Sequence, residues 1–525
     1  MQTASLSAIA MAALLALSSA TGASAKELRI GFADPISSAD PQINNHAGDR
    51  SLALHFYDSL VNSRDGGKLE PGLAESWKTL DDKTWEFKLR KDIKWQDGKP
   101  FTADDIVFSF ERARNVPGSV ASYRGALRTV ASTTAKDPHT VIVKTTVANP
   151  MLPLEIASIY IVSKHVGATA KSEDYNSGKA SIGTGPYKFI SYTPGDRTLM
   201  ERNPSYYGPQ QPWDKVTYRF INNGAARTAA LLSGDVDVID KVAVTDVAKL
   251  KKTSSVSVYE YPGLRALLIQ PSLRKGSNEF IADNAGKPLA ENPLTDQRVR
   301  EALNLAINRK AITDRILQGT ATEANQWMPK GSFGFNADIP AIPYSAEKAK
   351  KLLADAGFPE GFQLTIHVPG DRYPQAPEAM QAVAQFWSRI GVKTKLEVVP
   401  WSVYASRAGK NEYAVSVIAW GNGTGEAGYG LLQTLATVDS KAGRGANNWG
   451  RYSNENVDKA LDAATIEFDA KRREAIFRHA AKLVTDDVGQ IPLFHYKNIW
   501  AAKKGLKVVP ILSDRTTALQ VTATK

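Results

Sequence analysis

The sequence predicts an α/β protein divided into two or more lobes, and three observations lead there. Between Thr84 and Phe110 (TWEFKLRKDIKWQDGKPFTADDIVFSF), Trp85, Phe87 and Leu89 alternate with Glu86, Lys88 and Arg90, the period of a strand with one buried face. From Phe362 onward come an alternating strand to Val368, a helix carrying Met380, Val383, Phe386, Trp387 and Ile390 that ends at Gly391, and a strand through Val392, Leu396 and Val398. Together they make a β-α-β unit. Setting aside the first 25 residues leaves 500 of the 525, far beyond the roughly 250–300 residues that one core organises.

The elements follow in order. Residues 1–25 carry no charged side chain, include the apolar run Leu6 to Leu17 and end in Ala23-Ser24-Ala25, which predicts a cleaved secretory signal; a bilayer span needs about 20 apolar residues. Leu28, Ile30 and Phe32 predict a first strand, leading into loops at Asp34-Pro35 and Asp40-Pro41. After the Trp85 strand, a second strand, a turn at Asp97-Gly98 and a helix capped by Thr102 and Asp105 are expected, the helix carrying Ile106, Val107, Phe108 and Phe110. Val141-Ile142-Val143, Tyr187 to Tyr192 and Asp214 to Ile221 predict strands. Val299, Ala302, Leu303, Ala306 and Ile307 mark one helix. Ser345 caps another, which stops at Gly357, and a third spans about 471–487.

Composition narrows the chemistry. Zero cysteines exclude disulfides, thiolate metal sites and a cysteine nucleophile. Lys+Arg 65 against Asp+Glu 54 gives +11, scattered without a run of five like charges, so a mildly basic soluble surface is expected and nucleic acid is not. Seven histidines show neither H-E-x-x-H nor a close pair, and no G-x-S-x-G is present; no catalytic residue, metal or cofactor is assigned.

Ala74-Glu75-Ser76-Trp77 with the Thr84–Phe110 block, Gly183-Thr184-Gly185-Pro186-Tyr187-Lys188-Phe189, Glu201-Arg202-Asn203-Pro204, Ala230-Leu231-Leu232-Ser233-Gly234-Asp235-Val236-Asp237, Asp296-Gln297-Arg298-Val299-Arg300-Glu301-Ala302 and Ala349-Lys350-Lys351-Leu352-Leu353 occur in sequence. In that order they closely resemble the bacterial extracellular solute-binding proteins of the peptide, opine and nickel class, called family 5. The resemblance implies a bilobal periplasmic binding protein of type II with an extra subdomain. Its expected layout is signal 1–25, lobe I from 26–58, 183–265 and 489–525, the extra subdomain 59–182 and lobe II 266–488. It further implies a periplasmic monomer that captures a small peptide or opine-like polar solute by lobe closure and hands it to an inner-membrane ABC permease, touching the membrane only through that complex. An exported hydrolase on a two-lobed scaffold is the alternative.

Candidate ligand-binding residues come from the second half. Gly423-Thr424-Gly425-Glu426-Ala427-Gly428 satisfies G-x-G-x-x-G after an apolar strand, but no second strand follows to complete a nucleotide-binding unit, so the glycines suggest a close-approach loop. Peptide-binding relatives carry Trp-x-x-Asp here. Trp420 is present but Gly421, Asn422 and Gly423 follow, so the ammonium-pairing carboxylate of those relatives is missing; Glu426 would replace it only in a different loop fold. Arg372, in Gly370-Asp371-Arg372-Tyr373, lies where relatives pair an arginine with a ligand carboxylate; the alternative is a solvated pair with Asp371. Trp401, Trp420, Tyr429, Trp449 and Tyr452 offer stacking surface or core, and Asn447 and Asn448 hydrogen bonding or turns. The candidate site is therefore Trp420, Arg372, Tyr373, Trp401, Asn447 and Tyr429.

Overall fold

The computed structural model describes residues 26–63, 67–421 and 425–524; the signal expected at 1–25 lies outside them. The chain opens with β1 (Glu27–Phe32) and helix α1 (Ala47–Phe56). Then comes an antiparallel sheet of β2 (Ala74–Asp81), β3 (Thr84–Leu89), β4 (Val130–Asp137) and β5 (Thr140–Thr145), in the order β2-β3-β5-β4. Alternation in β3 buries Phe87 and Leu89 against Ile106 and Phe110 of α2 (Ala103–Arg114). The Asp105 carboxylate accepts the Thr102 N–H (2.9 Å), as the cap pattern predicted. The second strand expected in this block is a single bridge, Lys94 to Pro100, because the Asp97-Gly98 turn (Gly98 φ +86) closes after only a few residues.

One twelve-stranded sheet runs through the rest of the molecule. On one side β1 pairs parallel with β6 (Lys215–Phe220). The middle is formed by two long antiparallel strands, β7 (Val256–Pro271, 16 residues) and a strand near the C-terminus, Ile491–Lys503 (13 residues). On the other side stand β8 (Phe362–Pro369), helix α3 (Ala376–Ser388), β9 (Val392–Val399), helix α4 (Trp401–Gly409), β10 (Val415–Gly421) and helix α5 (Ala427–Thr434). The strand Ile491–Lys503 is β11. β8 is parallel to both β9 and β10, which confirms the β-α-β unit.

The apolar core follows this division. Leu267, Ile269, Val299, Leu303, Met380, Val383, Trp387 and Ile491 form one cluster, whereas Leu28, Ile30, Phe56, Tyr187, Tyr218 and Trp500 form another, with the β2–β5 subdomain on its own. The fold is thus α/β and bilobal. Among the described residues only β7 and β11 carry regular pairing between the lobes, and their mutual register shifts between Pro262 and Ala266 of β7. Gly263 sits at that bulge because a Cβ there would lie 2.4 Å from the Tyr496 carbonyl oxygen. A bulge in the two linking strands is where bending is least opposed.

Candidate functional site

The signature blocks build the wall of a cavity. Gly183, Thr184 and Gly185 lie flat against the end of α1; a Cβ on Gly183 would fall 1.8 Å from the Phe56 carbonyl oxygen. Gln96, from the block with Trp95, donates to the Tyr187 carbonyl (2.8 Å) and accepts from the Gly183 N–H (3.3 Å). Thr184 Oγ1 then donates to Asp58 Oδ2 at 2.8 Å. Asp58 faces a cavity of about 530 Å³ together with Leu54, Tyr57, Ser59, Pro186, Tyr206, Ser513 and Arg515 on lobe I, Leu264 at the bulge and Gly425 on lobe II. Burial raises the Asp58 carboxyl to about 6, with Thr184, Tyr207 and Arg90 pulling the other way.

The C-terminal wall is fixed by hydrogen bonds from core side chains. Asn498 Nδ2 donates to the carbonyls of Ile511 (3.1 Å), Leu512 (2.8 Å) and Ser513 (3.0 Å). Trp500 Nε1 donates to Thr516 Oγ1 (2.8 Å), the Tyr218 hydroxyl donates to the Thr516 carbonyl, and the Ala518 N–H donates to His55 Nε2 (2.9 Å). His55 is fully buried and its imidazole is held down to about 4, so it stays neutral as an acceptor.

Lobe II presents its sequence-predicted residues at the carboxyl ends of β8, β9 and β10, where open α/β sheets bind ligands. Arg372 and Tyr373 follow β8, Trp401 follows β9 and Trp420 is in β10. The Arg372 guanidinium lies 5.2 Å from the Trp401 ring, and Tyr373 meets the same ring edge-on at 5.9 Å. Asp371 accepts the Trp401 N–H (2.8 Å) at the start of α4; Asp371 and Arg372 are both exposed, and no ion pair within 4 Å joins them among the described residues. Tyr429 stands 6.2 Å from Trp420 and is half exposed. Among the described residues the buried Trp420 indole N–H has no hydrogen-bond partner, a rare condition for a donor of that kind.

None of the six sequence candidates lines the cavity itself. Arg372, Tyr373 and Trp401 form one contact group and Trp420 and Tyr429 another, all near strand ends of lobe II, from which only Gly425 reaches the cavity wall. Asn447 does not join them: its N–H donates to the Gln433 carbonyl (2.8 Å) and its own carbonyl accepts from Gln270 Nε2 (3.1 Å), at the far end of β7. Trp449 and Tyr452 are core. Glu426 is buried beside Arg473 (3.3 Å), so its carboxylate does not take the place of the missing aspartate. The loop glycine Gly423 lies outside the described residues. Sequence reasoning missed Asp58, Tyr57, Ser513 and Arg515. Thr184 was the signal available for Asp58, since a motif of two glycines and a threonine implies close packing on a particular neighbour.

The lobes meet on both sides of the cavity. At the hinge, Asp514 lies between Lys241 (3.7 Å) and Arg265 (4.0 Å), and Arg265 Nη1 donates to the Ala419 carbonyl (3.4 Å). At the far rim, the Phe468 ring of lobe II is 6.1 Å from Trp85 of the subdomain. Among the described residues no helix is long and apolar enough to cross a membrane, and no cluster of three His, Cys, Asp or Glu is placed to hold a metal.

Comparison with known proteins agrees with this architecture. The chain is 28% identical over 464 residues to heme-binding protein A of Haemophilus influenzae, covering 84% of this chain and 81% of that one. It is 26% identical over 491 residues to the dipeptide-binding protein of Escherichia coli K12, covering 87% and 88%. The solved structure of HbpA2 from Haemophilus parasuis superimposes with a TM-score of 0.82 at 26% identity, over 95% of this chain and 100% of that one. A family model described as bacterial extracellular solute-binding proteins, family 5 Middle, matches residues 68–442. The chain belongs to family 5 of the bacterial extracellular solute-binding proteins.

Proposed function

We propose that this solute-binding protein captures a small peptide in the periplasm, encloses it between the lobes and delivers it intact to an ABC permease in the inner membrane. The observation that carries the reading is the 530 Å³ cavity, within the roughly 300–1,000 Å³ of small-molecule sites, closed by two lobes that share only two linking strands. Its wall holds carboxylates, a guanidinium, hydroxyls and apolar side chains together, which suits a solute with charged ends and a short apolar body. The aromatic face of Trp420, Tyr373 and Tyr429 supplies stacking when lobe II closes, and the indole N–H of Trp420 offers a donor. Arg372 serves by bracing Trp401 and Tyr373.

A haem-like ligand suits the cavity less well. None of the seven histidines and no methionine lines it, whereas a haem needs an axial ligand and a broad apolar slot. The exported-hydrolase alternative finds no support in the family. Capture and release require no bond to be made or broken, and the chain acts as a monomer in this scheme. Solution scattering of the purified protein with and without a defined di- and tripeptide library tests the reading. A bound peptide should shift the lobes toward the compact form and be recovered uncleaved. Peptide hydrolysis, or no compaction with any member, would reject it.

A further inference from the structure

Arg515 projects into the cavity from the C-terminal segment, and Arg50 lies behind it on α1, one helical turn before the cavity residue Leu54. Among the described residues neither guanidinium has a carboxylate within 4 Å, and neither makes a side-chain hydrogen bond to the backbone. Arg50 leans on Tyr160, but its Nε is buried without a partner. The carboxylates next to them in the chain are engaged elsewhere. Asp49 accepts from the Ser37 N–H and hydroxyl (2.7 Å each), and Asp514 belongs to Lys241 and Arg265. Burial and the like charge of Arg50 hold the Arg515 guanidinium down to about 10, against an ordinary value of 12.5. Two half-buried like charges, opposed only by the more distant Asp514 that Lys241 and Arg265 share, are costly to keep together unless a ligand supplies a further negative charge.

The segment that carries Arg515 is not loose. Asn498 holds the three carbonyls before it, and Tyr218 and Trp500 hold Thr516 after it. The guanidinium is therefore positioned before any ligand arrives, which removes much of the ordering cost of binding. Of the two carboxylates that line the cavity, Asp58 and Glu70, neither lies within 4 Å of Arg515, and Asp58 is acted on by Arg90.

We propose that Arg515, backed by Arg50, is the anion anchor of the cleft and takes the carboxylate of the bound peptide. This rests on the peptide reading above. It also relocates the role that the sequence suggested for Arg372, whose guanidinium lies over Trp401. A guanidinium presents paired N–H groups to a carboxylate, so the contact discriminates a free acid from an amide.

Calorimetry on the mature protein tests it with peptides offered both as free acids and as C-terminal amides, alongside succinate and glutarate. Wild type should bind the free acids at least tenfold more tightly than the amides. Arg515→Gln should erase that ratio while binding the amides as before, and Arg515→Lys should keep part of it. Loss of a half-buried charge that repels Arg50 and holds no ion pair within 4 Å should leave the melting temperature unchanged or higher, so misfolding is not expected to confuse the result. Equal acid and amide affinities in wild type, or an unchanged ratio in Arg515→Gln, would overturn the anchor and leave the peptide reading standing. Dicarboxylate binding that is lost in Arg515→Gln, with no peptide bound in either form, would keep the anchor and reject the peptide reading. Binding of no probe at all would reject both.

Discussion

The two lobes use charge differently. In lobe I, buried or half-buried basic groups meet carboxylates: Arg112 grips Asp40 through two hydrogen bonds (2.9 and 2.6 Å), Arg29 grips Asp237, and Lys241 meets Asp34 (2.7 Å). In lobe II, Arg473 pairs with Glu426 (3.3 Å), while two other buried arginines mainly serve backbone carbonyls, as Arg227 does in lobe I. Arg309 donates to Pro492 and Asn304, and Arg300 to Leu294, Thr295, Asp487 and Val488. The cores differ accordingly. Lobe II packs two apolar clusters, one of them around the β-α-β unit, whereas lobe I is assembled from separate chain segments and a subdomain that these ion pairs join. This teaches a division of labour: lobe I carries the charged groups that line the cavity, while lobe II carries aromatic side chains at its strand ends.

The sharpest break of that comparison comes from removing one ion pair and one core side chain. Asp40→Ala leaves Arg112 with its side chain only 11% exposed and without its carboxylate, at an expected cost of about 3–5 kcal/mol. Trp387→Ala empties a fully buried site and loses the bond from Nε1 to the Leu303 carbonyl (2.9 Å), also costing about 3–5 kcal/mol. Hydrogen exchange read by mass spectrometry should show faster exchange in lobe I and the subdomain for the first variant and in lobe II for the second. Equal loosening of both lobes by either change would show that the lobes do not hold themselves together separately.

The far rim gives a smaller, pH-dependent effect. Burial pushes the Glu426 carboxyl up to about 7, and the negative charge of Glu155 across the cleft adds to it, while Arg473 opposes. A carboxyl raised above its unfolded value of about 4.5 contributes stability that is complete below that value and is lost as pH rises through about 7. Glu426→Gln keeps the hydrogen-bonding shape without the titration. The difference in melting temperature between variant and wild type should therefore grow in the variant's favour from pH 5 to pH 8. The size is of the order of a few kcal/mol, since one pKa unit corresponds to about 1.36 kcal/mol. Asp58 and Asp240 share the wild-type slope, and His55, His367 and His495, held near 4, oppose it by losing stability as pH falls from about 6.5. Taking the variant-minus-wild-type difference isolates Glu426. A flat difference would show that burial does not raise the Glu426 carboxyl.

Lobe II was the legible half. Its strands and helices are long, periodic and local, so Phe362–Val368, the Trp387 stripe and the Gly391 stop could be read from spacing alone. The Ser345 cap held in the same way, with its hydroxyl accepting from the Lys348 N–H (3.2 Å). The cavity was not legible, because its wall joins residues about 450 positions apart, such as Asp58 and Arg515, through loops without any period. A side chain such as Asn498, which fixes three carbonyls of a distant segment, leaves no pattern in its own neighbourhood. The aromatic candidates were found by composition, and the structure places Arg372, Tyr373, Trp401, Trp420 and Tyr429 near strand ends of lobe II without lining the cavity, while Asn447 stands apart, since an Asn pair in a glycine-rich stretch has the same appearance whether it faces a cleft or closes a loop.

Asn447 yields the smallest expected effect and so the finest test of the aromatic face of lobe II. Its hydrogen bonds to Gln433 and Gln270 run through its backbone, which Asn447→Ala retains. Peptide affinity should change less than twofold, whereas Trp420→Ala, which removes a ring from the closing face, should weaken it about tenfold, or about 1.4 kcal/mol. Titration calorimetry of both variants against the same peptide separates them. A large loss in Asn447→Ala would mean that the closing face extends along β7 toward Gln270, and a silent Trp420→Ala would mean that lobe II closes over the cavity without touching what it holds.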